Sequence, residues 1–137
     1  MDKDRLMHSL AVARKMVEIG IEKGLEATEL EELFVLGYVH DIGYEFAPSG
    51  KDHNKIGGNV LKQSDYKYWQ EVYYHGALTE KYESLYLTIL NQADMQIDKY
   101  GNDIGYEARL LDIQERYGEG SMVHERCYQL VKKIKDR

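Results

Sequence analysis

Residues 28–43, which read TELEELFVLGYVHDIG, combine a helical pattern of apolar residues with a polar His-Asp pair near its end. Thr28 and Glu31 have the spacing of a capping box, which predicts the start of a helix. Apolar residues then recur at three- and four-residue steps, as on the buried face of a helix: Leu30, Leu33, Phe34 and Tyr38. The helix leads directly into His40 and Asp41. We therefore expect two polar side chains at the end of a core helix.

The same periodicity predicts helices on both sides of this stretch. They cover, approximately, residues 4–23, 53–62, 66–75, 82–100, 106–117 and 123–135. The only proline, Pro48, lies in a predicted loop over residues 43–52. No sustained alternation of apolar and polar residues indicates a strand. We predict an all-α fold of six or seven helices, forming a single domain over residues 1–137.

The composition limits the function. With 18 basic and 24 acidic residues the net charge is −6, whereas nucleic-acid-binding proteins normally carry a basic surface, so we expect no nucleic-acid partner. The apolar run at 33–36 is far shorter than the ~20 residues of a membrane helix, so we expect no membrane association. Residues 2–5 are charged and Cys127 is the only cysteine, which favours a cytoplasmic location without disulfides. The oligomeric state stays open.

Six side chains with metal-binding chemistry recur along the predicted helices: His8, His40, Asp41, His53, His75 and Asp94. Imidazole and carboxylate groups suit divalent iron, manganese, nickel, cobalt or zinc. On a regular helix His40 and Asp41 point about 100° apart, so both reach one metal only where the helix ends, which Gly43 permits. An unpaired carboxylate inside an apolar helix is costly, so we expect Asp94 to be a ligand. Asp98, one turn later, has two interpretations: a solvent-facing residue near a helix end, which we favour, or a residue that orients a ligand.

This order of residues resembles that of the HD superfamily of metal-dependent phosphohydrolases. The superfamily is defined by a histidine, a later His-Asp pair and a still later aspartate. The matching positions here are His8, His40, Asp41 and Asp94, and the sequence His-Asp-Ile-Gly at 40–43 is the tetrapeptide most typical of the family. The resemblance implies that these four residues bind a divalent transition metal.

Members of the superfamily with two metals add two histidines, one on a short helix before small residues and one that closes a helix before a turn. His53 and His75 are similar to these two residues. The resemblance thus implies one or two divalent metals, with Asp41 bridging two ions in the second case. It also implies a family core over about residues 4–100, on which C-terminal helices at about 106–135 would pack.

The activity implied by the resemblance is hydrolysis of a phosphate ester or anhydride of a nucleotide or a related small metabolite. A water activated by the metals would be the nucleophile. Lys51 and Lys55 flank His53 and are our candidates for holding a distal phosphate of this small-molecule substrate, with Arg5 and Arg14 as further candidates. Many members carry a lysine after the tetrapeptide, where Tyr44 stands here.

Two other functions fit the same sequence. Some HD proteins with two irons are oxygenases that use the same ligands, and a metal-stabilised binding or regulatory module would need no catalysis. Five aromatic residues between 66 and 74 are typical of either core packing, which we favour, or a base-stacking platform: Tyr66, Tyr68, Trp69, Tyr73 and Tyr74.

Overall fold

A computed structural model describes residues 2–47 and 49–135 of the chain. These residues form seven α-helices: α1 (Lys3–Glu22), α2 (Ala27–Val39), α3 (His53–Gln63), α4 (Trp69–Tyr74), α5 (Leu85–Asp94), α6 (Gly105–Tyr117) and α7 (Met122–Lys135). A 3-10 turn, Ile42–Glu45, lies between α2 and α3. The described residues form no strand, so the predicted all-α fold is confirmed. None of these helices has the length and apolar character that crossing a membrane would require.

The start of α2 differs from its prediction. The capping box is formed by Glu26 and Glu29 rather than by Thr28 and Glu31, because the Glu26 side chain accepts from the Glu29 backbone. The Glu26 backbone N–H in turn donates to the Glu29 carboxylate over 3.1 Å. A carboxylate can cap a helix as a hydroxyl does, and its negative charge is favourable at the positive end of the helix dipole. The helix therefore starts earlier than the Thr28 signal predicts.

Helix α5 is shorter at both ends than the predicted range of 82–100. It begins after Ser84, whose hydroxyl accepts a hydrogen bond of 3.0 Å from the backbone N–H of Leu87. Beyond Asp94 the chain turns, and Ile97 pairs with Asp103 in an isolated antiparallel bridge. Periodicity alone did not show this end, because apolar residues continue past it into the turn. Asp94 is consequently the last residue of the helix.

The core is divided into a large and a small cluster. In the large cluster α1 packs against α2 and α5, with α4 closing one side. Its fully buried members include Val12, Met16, Leu33, Leu36, Val72, Ile89 and Leu90. The small cluster joins α6 and α7 to the segment after α5, and it consists of Met95, Ile113, Leu130 and Val131. The two C-terminal helices therefore form a separate wall beside α5.

Close backbone contacts fix how the segments around residue 40 meet. A Cβ atom on Gly43 would lie 1.8 Å from the carbonyl oxygen of His53, and one on Gly57 would lie 2.9 Å from the backbone nitrogen of Gly43. The 3-10 turn thus lies directly on the first turn of α3. A Cβ on Gly37 would lie 2.6 Å from the Cα of Ala13, so α2 also crosses α1 closely.

Candidate metal centre

The six side chains predicted to bind metal belong to five α-helices and the 3-10 turn. Only His8 lies in the interior of a helix, on α1. The other five lie at a helix end or beside the 3-10 turn: His40 caps the end of α2, Asp41 precedes the turn, His53 begins α3, His75 caps the end of α4 and Asp94 ends α5. The fold brings all six together, although as many as 86 residues separate two of them in sequence.

Asp41 lies between two groups of histidines. Its Oδ2 atom is 3.2 Å from Nε2 of His40 and 3.5 Å from Nε2 of His8. Its Oδ1 atom is 3.4 Å from Nε2 of His53 and also 3.4 Å from Nε2 of His75. The two oxygens of one carboxylate therefore contact different pairs of imidazoles.

Asp94 contacts only the first of these pairs. Its Oδ1 atom is 3.0 Å from Nε2 of His8 and 3.4 Å from Nε2 of His40. Donor atoms bound about 2.1 Å from one ion lie about 3.0–3.5 Å from each other, and all six contacts of the cluster fall in that range. The cluster also contains the overlapping groups His8, His40, Asp41 and Asp41, His53, His75, each with the spacing to hold an ion.

The orientation of each imidazole in the cluster is fixed by a backbone carbonyl. Nδ1 of these four histidines lies within hydrogen-bond distance of such an oxygen: His8 with Asp98 at 2.8 Å, His40 with Gly37 at 2.6 Å, His53 with Gly50 at 3.2 Å and His75 with Val72 at 2.6 Å. A carbonyl oxygen only accepts, so Nδ1 must be the donor. In the neutral ring Nε2 then presents a lone pair, and in all four cases it faces a carboxylate.

A lone pair facing a carboxylate at 3.0–3.5 Å is unfavourable unless a positive charge lies between them. His40 shows this most clearly, because its Nε2 atom is fully buried and makes no hydrogen bond of acceptable geometry. Either a proton or a metal ion can supply the charge, and the two compete for the same lone pairs. The donor set and its orientation therefore fit a divalent cation.

Without a metal, the histidines and aspartates of the cluster shift one another's pKa. Burial disfavours the charged form of His40, but the carboxylates of Asp41 and Asp94 outweigh burial and raise its pKa well above the ordinary value. Burial likewise opposes the charge on both aspartates, yet contacts with the histidines hold the pKa of Asp41 and of Asp94 well below the usual range. Both carboxylates are thus ionised at neutral pH and available to a cation.

Tyr44 and Arg5 form a stack over one side of the cluster. The Tyr44 ring lies parallel to the His53 imidazole, with centroids 4.2 Å apart and planes inclined by 16°. The guanidinium carbon of Arg5 lies 3.3 Å from the centroid of the Tyr44 ring, a cation–π contact. Tyr44 therefore supports Arg5 beside the cluster.

Asp98 orients His8 through its backbone rather than through its carboxylate. Its carbonyl is the group that accepts from His8, whereas its side chain accepts from the backbone N–H groups of Tyr100 and Asn102, each at 2.9 Å. The carboxylate therefore stabilises the turn after α5, and this turn holds the carbonyl in place. Neither of the two interpretations from sequence describes this arrangement in full.

A cleft of about 950 Å³ opens beside the cluster. His8, Asp41 and His53 line its floor, and Arg5 and Lys51 line its walls. Lys55 and Arg14 are exposed and are not among the residues that line it. The aromatic residues between 66 and 74 do not line it either; Tyr66, Tyr68 and Trp69 pack against the large core cluster, as the packing interpretation predicts.

Sequence reasoning missed one group of residues in the cleft. Arg109 and Arg116 from α6 and Arg126 from α7 line its outer wall. A signal was present, because Arg109 and Arg116 are seven residues apart and so share one face of a helix. Nothing in the sequence places that face opposite His8, since contacts between distant helices decide it.

The comparison with protein families agrees with this geometry. The sequence model of the HD domain family matches residues 5–118, which include all six clustered residues and extend through α6. Among curated proteins and among solved structures, none matches the chain significantly. With most of its length matched and its histidines and aspartates arranged as described, the chain belongs to the HD domain family.

Proposed function

We propose that this protein is a metal-dependent phosphohydrolase that cleaves a phosphate ester or anhydride of a nucleotide or a related small metabolite. HD domains are in general metal-dependent hydrolases, which supports the reaction class. The observation that carries the proposal is the position of Asp41, whose two oxygens contact separate histidine pairs at the floor of a cationic cleft. One carboxylate so placed suits two adjacent ions.

Each residue of the cluster would have a definite task in this reaction. His8, His40 and Asp94 would hold one ion, His53 and His75 the other, and Asp41 both. The carbonyl contacts keep the four Nε2 atoms directed inward without a protein rearrangement. When bound, the metals would supply a water of lowered pKa as nucleophile and positive charge for the phosphoryl oxygens.

Substrate binding falls to the walls of the cleft. Arg5 is held by the Tyr44 ring on its face and by Asp2, 3.4 Å from its Nε atom, so its guanidinium is preorganised beside the metal centre. Lys51 lines the same cleft from the loop before α3 and can reach a phosphate oxygen. Of the two lysines predicted from sequence, Lys51 is thus the better placed.

The test combines metal analysis with phosphate release. Protein purified without chelator is expected to contain about two equivalents of metal and to release phosphate from members of a panel of nucleotides and small phosphoesters. Asp41→Asn is expected to lose most of its metal and at least ~100-fold in kcat, because the shared carboxylate contacts all four histidines. Asp65→Asn is the matched control, since Asp65 is exposed at a positive φ that asparagine tolerates.

Three outcomes would contradict the proposal. Two irons per chain with oxygen consumption and no phosphate release would indicate an oxygenase. A protein that binds metal but turns over nothing would indicate a binding or regulatory module. Full metal content and activity in Asp41→Asn would show that the shared carboxylate has no role.

A further inference from the structure

The cleft is cationic although the chain as a whole is acidic. The net charge is −6, yet seven lysine and arginine side chains line the cleft against four aspartates. One of those aspartates, Asp41, belongs to the metal cluster, and another, Asp2, is paired with Arg5. A concentration of positive charge against the overall balance raises the local concentration of anions.

Three of these cations come from the C-terminal helices and are only partly neutralised. Nη1 of Arg109 and Nη2 of Arg116 share a single carboxylate, that of Asp112, at 3.2 and 3.4 Å. The Nε atom of Arg109 is buried and has no hydrogen-bond partner. Within residues 2–47 and 49–135, Arg126 forms no ion pair. This wall therefore has guanidinium donors in excess of acceptors.

The same wall adjoins the metal centre. Arg126 and Cys127 from α7 line the same cleft as His8 and Asp41 of the metal cluster. Arg109 and Arg116 from α6 line it as well. One cleft therefore contains both the arginines and part of the metal cluster.

The cleft is larger than one phosphate group needs. At about 950 Å³ it is as large as the pockets that hold whole drug-sized ligands. Arg5 and Lys51 lie beside the metal cluster, whereas the arginines belong to another wall formed by α6 and α7. A substrate with a single phosphate at the metals would leave Arg126 without an anionic partner, and Arg109 and Arg116 with only the carboxylate of Asp112 between them.

We propose that Arg109, Arg116 and Arg126 form a second anion site, so that the substrate carries two phosphate groups, one at the metal centre and one at this wall. The assignment of the first group rests on the proposed function. The second site itself rests only on the cleft and its charges. Bidentate guanidinium contacts are well suited to a phosphate oxygen pair.

The test measures equilibrium binding and needs no turnover. The probes are butylphosphonate and butane-1,4-bisphosphonate, which differ only in the second anionic group and whose C–P bonds a phosphohydrolase leaves intact. Zinc-loaded protein is used, since zinc takes part in no redox chemistry. Calorimetry is expected to show at least ~10-fold tighter binding of the bisphosphonate, because one charge-assisted guanidinium contact contributes about that much.

Arg116→Gln/Arg126→Gln is expected to remove this preference and to leave butylphosphonate affinity and zinc content within about 2-fold. Both side chains are exposed, and each single variant serves as a further check. Arg14→Gln is the matched control, because Arg14 is exposed on α1 and is not among the residues lining the cleft. It is expected to bind as the wild type does.

Two results would overturn the second site. One is equal affinity of the wild type for the two probes, and the other is an unchanged preference in the double variant. A preference that depends on the arginines, found together with no phosphate release from any compound, would support the second site while contradicting the proposed hydrolase. The two proposals can therefore fail separately.

Discussion

Replacing Gly43 by alanine tests how the fold positions the metal centre. The Cβ atom of alanine would lie 1.8 Å from the carbonyl oxygen of His53, 1.2 Å short of the 3.0 Å that real contacts keep. It would also lie 3.0 Å from the backbone nitrogen of Gly57. Backbone atoms cannot rotate away as a flexible side chain can, so the 3-10 turn and α3 must separate.

This separation changes the distance between two residues of the metal cluster. Asp41 directly precedes the 3-10 turn and His53 begins α3, and their facing atoms are 3.4 Å apart. Metal coordination tolerates only about ±0.2 Å, several times less than the required shift. Affinity for the ion between Asp41, His53 and His75 is expected to fall at least ~10–100-fold, as for other changes that misplace a ligand.

Stability is expected to fall as well. Overpacking costs about 1–3 kcal/mol, and a clash between two backbones belongs at the upper end, which corresponds to a Tm about 10 °C lower for a chain of this size. Gly24→Ala is the control, because Gly24 also resists substitution, with φ of +76°, but has no atom within 4 Å of the added Cβ. It is expected to lose about 1–2 kcal/mol with unchanged metal affinity.

Urea unfolding of the metal-free protein and competition with a chromophoric chelator measure the two effects separately. The reasoning fails if Gly43→Ala keeps wild-type affinity for both ions. It fails equally if the metal-free variant is as stable as the wild type, since the contact at His53 would then be avoidable at no cost.

Two further predictions concern the metal count and the pH dependence of stability. His53→Ala is expected to keep about one equivalent of metal and to lose most phosphate release, measured by elemental analysis and a phosphate assay; full metal content and activity would instead indicate a one-metal enzyme. Hydrogen bonds from Tyr68 at 2.5 Å and Tyr86 at 2.9 Å lower the pKa of Glu32. A carboxyl group with a lowered pKa stabilises the folded protein above its unfolded pKa near ~4.3, and this stability is lost as the pH falls further. Glu32→Gln should therefore cost ~1 kcal/mol at pH 7 and nothing below the folded pKa of Glu32. The control Glu31→Gln, at an exposed position, should show no such difference in urea titrations.

The sequence predicted the elements of the fold better than their ends. Helical periodicity identified α5 but extended it past Asp94, because Ile97 continues the apolar pattern within a turn. Capping by Glu26 was missed because hydroxyl and short carboxylate side chains are the stronger start signals. These errors arise from local alternatives that differ by about 1 kcal/mol, which a pattern of residue types does not resolve.

The metal cluster was predicted from the order of its residues, whereas the arginine wall was not predicted at all. The His-Asp tetrapeptide is specific because it combines two side chains of the cluster with the glycine that lets α3 contact the turn. Arg109 and Arg126 have no comparable motif. Their position depends on how α6 and α7 pack on Met95, a contact between distant segments that composition and periodicity do not encode.

The ends of the helices favour a cation at this cluster. α2 ends at Val39, directly before His40, and α5 ends at Asp94, so the partial negative charge of two helix C-termini lies beside two ionised carboxylates. Negative charge at a helix C-terminus is unfavourable, and burial adds to its cost. Positive charge at this point, from a metal ion or from protonated histidines, offsets both terms. The first residue of α3, His53, lines the cleft, so the positive end of that helix lies beside the open cleft. The helix ends thus favour a cation among the carboxylates and leave positive charge at the cleft.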